Sequence, residues 1–297
     1  MAHSLLPVVL GVATLFATAP LTTDSAPASY RVPVRKIVAA DEAGHVRVVD
    51  ARGRLVRRFG WSLPVPQLQA IELAADRRHA YVSIYRSERP SHLHEVTLAT
   101  GRRRKIANAI SPALSPDKTR LAYVTTEVRN EIVYRAALVI RNLRTGAIRT
   151  MRLPPRVPFG TPPELVINWS PDSRQVAVFD DSRIKLVDAA RAADVAAQPA
   201  LPGDTPTPGQ TSWLAPVFVD ARTVVVLEGC CIGRQQLVAV DLSSGTQNPF
   251  AVLSSPVEHV RRYGQRRLLV VTALHELALV SRGNVRVIVR RIDAAAG

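Results

Sequence analysis

Lysine is nearly missing from this chain of 297 residues: it occurs at 36, 105, 118 and 185 only, against 35 arginines. Cysteine occurs only as the adjacent pair Cys230 and Cys231. Two cysteines without a spaced second pair or a nearby histidine do not make a zinc shell. Aromatic residues are 5% of the chain, so Val, Leu, Ile and Ala must fill its interior. Phosphate loops, dinucleotide fingerprints, a Ser-His-Asp order and a Gly-x-Ser-x-Gly elbow are all absent. So are zinc-finger, helix-turn-helix and RNA-binding signatures. These absences lead us to expect no cofactor, no resident metal and no specific nucleic-acid target.

What the chain does hold is apolar and basic. Hydrophobic residues make up 47% and the formal charge is +15. The first figure argues against global disorder. The second has two readings. One is attraction to an anionic partner, either an acidic protein or an envelope component. The other is compositional bias, with arginines spread as solvated surface, and the scattered charge favours it. Only "GRRRK" (101–105) and "RRYGQRR" (261–267) are dense, and each falls at an expected turn.

The first 28 residues differ from the rest. Leu5 to Ala19 is an apolar stretch too short to span a bilayer comfortably, and Ala26-Pro27-Ala28 offers small residues for cleavage before Ser29. Residues 1–28 are expected to be a signal peptide and 29–297 one exported, extracytoplasmic domain. No cysteine follows the apolar stretch, which argues against a lipid anchor, and no other segment reads as membrane-spanning.

A phrase recurs along that domain. "LSPDKTRLAYV" begins at Leu114 and "WSPDSRQVAVF" at Trp169. "LAADRRHAYVS" from Leu73 keeps the Asp, "FVDARTVVVL" from Phe218 is contracted, and "RRYGQRRLLVV" from Arg261 has lost the Asp. Proline presets φ for a tight turn, and aspartate bonds the backbone amides beyond it. Asp76, Pro116, Asp117, Pro171 and Asp172 are therefore expected to be structural turn residues. Behind each copy comes a short strand and a glycine turn, with Gly53, Gly101, Gly146, Gly245 and Gly283 at the expected positive φ. "KLVDAARAA" (185–193) is the version without glycine. The strands after the turns ("RLAYV", "QVAVF", "TVVVL") are apolar on both faces, as strands covered on both sides are.

A period of 38 to about 50 residues with four strands in each is that of a propeller blade. The expected fold is all-β: a six-bladed propeller of four-stranded antiparallel blades at about 34–59, 67–107, 108–153, 162–200, 212–253 and 255–293. The first blade lacks a strand, and "YRVPV" (30–34) suits either that place or the ring closure. The two Ser-Pro-Asp copies resemble the TolB-like, WD40-like propeller family, whose repeats carry Ser-Pro-Asp-Gly before a strand. This chain departs from that pattern with Lys118 and Ser173 at the glycine position. The resemblance implies the fold without implying an activity; the chain is separately expected to be a monomer.

Blade connectivity puts the Ser-Pro-Asp and glycine turns on one rim and the long connections on the other. Long loops on a rigid scaffold commonly carry binding surfaces. Arg86, Arg89, Arg129, Arg135, Arg156 and Arg234, with Trp61 and Trp213, are the candidate contact residues on that long-loop rim. In an oxidising compartment Cys230 and Cys231 have three readings: a vicinal disulfide, two thiols, or intermolecular bridges. "HLH" (92–94) puts two histidines on one face of a strand, and Glu72, Glu164 and Asn168 lie on expected innermost strands. The leading expectation is a non-catalytic binder of a macromolecular partner. The alternative is a metal-dependent lactonase- or esterase-like propeller using tunnel carboxylates. The Ser-Pro-Asp phrase itself is expected to carry geometry and no site.

Overall fold

The computed structural model describes residues 36–41, 43–63, 71–84, 91–129, 132–153, 167–180, 183–194, 214–228, 235–263, 266–290 and 294–296. Among these every regular element is a β-strand, and all pairings are antiparallel. Strands are numbered in chain order. β1 (Ile37–Ala40), β2 (His45–Val49) and β3 (Leu55–Ser62) form the first sheet. Its fourth strand is the last of the chain, β23 (Ala294–Ala296), with Val38 opposite Ala296 and Ala40 opposite Ala294. The missing strand therefore comes from the C-terminal end; "YRVPV" lies outside the described residues.

The next sheet holds seven strands: β4 (Ile71–Ala75), β5 (His79–Ile84), β6 (His92–Thr97), β7 (Arg103–Leu114), β8 (Arg120–Arg129), β9 (Ile132–Asn142) and β10 (Ile148–Leu153). β7 serves two partners. Its first half pairs with β6, and Ala109–Leu114 pair with β8 across a register shift, with Ser111 at φ 55°. The first half is exposed to half-buried and the second mostly buried, so one strand runs from an outer wall to an inner one. Three further sheets follow. The first holds β11 (Ile167–Trp169), β12 (Gln175–Asp180), β13 (Arg183–Asp188) and β14 (Ala193–Asp194). β15 (Leu214–Phe218), β16 (Thr223–Glu228), β17 (Gln235–Asp241) and β18 (Gln247–Leu253) make the second. The third is β19 (Val257–Arg262), β20 (Leu268–Thr272), β21 (Glu276–Ser281) and β22 (Asn284–Arg290).

The second strands of these sets are sealed on both faces, as their sequences imply: Leu121–Val124, Val176–Val178, Val224–Leu227 and Leu268–Val271 are all buried. Their side chains fill six clusters, each between two consecutive four-stranded sets. Val38, Val46 and Phe59 meet Leu73, Val82 and Val96, and Tyr81 and Leu93 meet Leu121 and Tyr123. Ala177 and Leu186 meet Phe218 and Val226, and two further clusters fill the intervening contacts. The sixth packs Ile37 and Ala39 against Leu269, Val271 and Leu277, joining the first sheet to the last.

The outer strands β22 and β3 also lean on the glycine turns of the first and second sets. A Cβ on Gly53 (φ +81°) would clash with the Ile288 carbonyl oxygen, and one on Gly101 (φ +70°) would lie 2.5 Å from Trp61 Cγ. Trp61 is thus a half-buried residue of β3 and not a loop-edge residue: its Nε1 donates to Leu98 O at 3.2 Å and its ring stacks on Phe59. Arg129 and Arg135 likewise sit in β8 and β9, because this hairpin continues as strand beyond the expected loop boundary. In the glycine-free turn Ala192 takes up the left-handed conformation instead, at φ 51°.

Candidate functional site

The two full Ser-Pro-Asp turns are copies in atomic detail. Asp117 Oδ1 accepts from Ser115 Oγ at 2.6 Å and from Thr119 N at 3.0 Å, while Ser115 Oγ accepts from Arg120 N at 2.9 Å. Asp172 Oδ1 accepts from Ser170 Oγ at 2.6 Å and Arg174 N at 3.0 Å, and Ser170 Oγ accepts from Gln175 N at 2.8 Å. Burial pushes both carboxyls up, but these hydrogen bonds and the neighbouring arginine charge outweigh it and hold them below the usual range. Lys118 and Ser173, at the family's glycine position, have φ of 61° and 62°. A side chain there costs roughly 1–2 kcal/mol over a relaxed backbone.

Both of these strained residues reach back to the preceding turn. Ser173 Oγ accepts from Asp117 N at 3.2 Å, and Lys118 Nζ donates to Ala75 O at 3.4 Å. Lys118 also overhangs a cavity of about 260 Å³, formed where β4, β7, β11 and β19 end beside these turns. Its basic and polar lining is Lys118, Arg261, Arg262 and Asn168. Leu73, Ala113 and Trp169 supply apolar wall, and Trp169 is fixed by its Nε1 donating to Ala113 O at 2.9 Å. Among the described residues, no lining residue carries a carboxylate. Crowding by protein lowers the Lys118 ammonium from its usual value, with Asp76 opposing. Burial likewise lowers Arg262, with Asp220 opposing. Asn168 is 5% exposed, and its Nδ2 has no acceptor among the described residues. An unsatisfied buried donor costs about 1–3 kcal/mol.

The expected site residues divide. Arg86, Arg89, Arg156, Arg234, Trp213, Cys230, Cys231 and Glu164 lie outside the described residues. Glu72 is on β4, as expected for an innermost strand. His92 and His94 share a face of β6 with ring centroids 6.1 Å apart, and no group of three metal-ligating side chains occurs among the described residues. Asn168, on β11, lines the cavity. The convergence of Lys118 with Arg261 and Arg262 was not expected; its signals were the glycine replaced by lysine and the "RRYGQRR" cluster.

Among solved structures, TolB from Acinetobacter baumannii is similar at 15% identity and TM-score 0.51, covering 88% of this chain and 65% of TolB. The tricorn protease is similar at 11% identity and TM-score 0.51, over 88% of this chain and 30% of the protease. An oligogalacturonate lyase in complex with manganese gives 13% identity and TM-score 0.48, covering 83% of this chain and 70% of the lyase. The chain therefore spans less than two thirds of TolB and under a third of the protease. No protein-family model matches the sequence, and no curated protein does. The fold is of β-propeller type. At these identities the likeness shows the fold alone and fits neither a binding nor a catalytic reading specifically. No helix among the described residues is long and apolar enough to cross a membrane.

Proposed function

We propose that this chain is an exported, closed six-bladed β-propeller that binds an acidic segment of a protein partner, without catalysing a reaction, at the mouth beside its Ser-Pro-Asp turns. The observation that carries this reading is the cavity where four inner strands end, with three basic residues and no carboxylate among the described residues of its lining. Six inter-sheet clusters and the β23–β1 pairing support the closed ring. The +15 charge draws an acidic partner toward such a mouth from a distance. On sequence grounds the long-loop rim, with Arg86, Arg89, Arg129, Arg135, Arg156, Arg234 and Trp213, is a second contact area, and residues 1–28 direct export.

The test is capture from a cell-envelope extract on immobilised protein. Wild type should retain an acidic protein that elutes with salt, and the double variant Lys118→Gly, Arg261→Gln should not. Retention by that variant, but not by one with Arg86, Arg129 and Arg234 changed to Gln, would move docking to the long loops.

A further inference from the structure

We infer that the cavity at this mouth is a built oxyanion site, which takes one carboxylate or phosphate group on Lys118 and Arg261, with Asn168 as the uncharged donor. The inference deepens the proposed docking reading and rests on it. Two features separate this place from a merely basic surface. Lys118 stands at a left-handed position where glycine fits without strain, and its side chain overhangs the cavity. Backbone strain of this kind persists where surrounding structure over-determines it, and it clusters at ligand sites. Asn168 is buried at the cavity wall with an Nδ2 donor that meets no acceptor among the described residues. Buried donors are normally satisfied, and an oxyanion is the acceptor that would also neutralise the adjacent cations.

A volume near 260 Å³ suits one acidic side chain or a phosphate group with a few waters, at about 30 Å³ per water. The apolar wall of Leu73, Ala113 and Trp169 lowers the local dielectric and strengthens a charge-assisted bond formed there.

Calorimetric titration of the full chain tests this, with a tri-glutamate peptide in one arm and inorganic phosphate in the other. Saturable one-to-one binding is expected in at least one arm, and the arm that binds tighter identifies the source of the group. Lys118→Gly, which also relieves the strained φ, should weaken binding about tenfold or more. Asn168→Leu, similar in size, uncharged and lacking the donor, should weaken it while the melting temperature confirms folding. Arg144→Gln, which removes the same charge from an exposed glycine turn, should leave binding unchanged. Equal weakening by Arg144→Gln and Lys118→Gly would overturn the site in favour of diffuse charge. Absence of binding in both arms, while envelope capture still depends on Lys118, would overturn the oxyanion assignment and leave the docking face standing.

Discussion

Adding a single methyl group to each glycine turn separates the contacts between neighbouring sheets from the conformation of the turn itself. Gly146 and Gly101 have nearly the same φ, +76° and +70°, so alanine carries the same left-handed penalty at both, about 1 kcal/mol. They differ in what the methyl meets. At Gly146 nothing among the described residues lies within 4 Å, whereas at Gly101 three ring atoms of Trp61 lie at 2.5 to 2.9 Å. That ring cannot simply swing away, because its Nε1 is bonded to Leu98 O and its face is stacked on Phe59. Overpacking of this kind costs about 1–3 kcal/mol. Gly101→Ala should therefore destabilise by about 2–4 kcal/mol, and Gly146→Ala by about 1 kcal/mol. Gly53→Ala should exceed both, since its methyl would clash with the main-chain oxygen of Ile288 on β22. Urea denaturation reads the order directly, because unfolding free energy falls linearly with denaturant. Equal midpoints for Gly101→Ala and Gly146→Ala would refute the packing of β3 on the Gly101 turn.

Further outcomes follow from the other turns. Asp172→Ala removes the acceptor for Ser170 Oγ and Arg174 N and should cost about 1–2 kcal/mol in denaturant titration, with Asp117→Ala similar. Ala192→Gly should stabilise by about 0.5–1 kcal/mol, because it relieves φ 51° where the other copies carry glycine. The turn carboxyls also set an acid limit. Asp241 is held at about 2, first by the Ser243 hydroxyl; Asp50 is also at about 2, where bonds from Arg54 and Arg52 outweigh burial. Folded values below the ordinary ~3.9 contribute stability above that pH. It is lost as pH falls from about 4 toward 2, so melting temperature should drop across that window, and less steeply in Asp241→Asn. His79 has the opposite sign. Its bond to Asp76 raises it above the ordinary ~6.5, so its contribution is complete below that value and fades as pH rises through the folded one.

The turns were readable in the sequence because their chemistry is local. Proline at i+1, aspartate bonding the next amides and glycine at positive φ all act within a few residues, and the structure reproduces them to the hydrogen bond. Two-sided burial of the second strands was readable for the same reason, since runs such as Val224–Leu227 show no alternation. The fourth strand of the first sheet was not readable: Ala294–Ala296 has little β preference, and its partner Val38 is more than 250 residues away. Trp61 looked like a loop residue because nothing nearby reveals that a turn some 40 residues on packs against its ring. The cavity was hidden in a similar way, since its basic and polar groups come from three places in the chain, 118, 168 and 261–262. Each looked ordinary alone, and only the strand ends bring them together.

The most direct measurement of the central claim is amide hydrogen exchange on the protein with and without the captured acidic partner. Docking at the mouth predicts slowed exchange in residues 73–78, 113–119, 168–174 and 261–267, with residues 85–92 and 229–234 little changed. Protection confined to residues 85–92, 154–164 and 229–234, with the Ser-Pro-Asp turns unaffected, would contradict it.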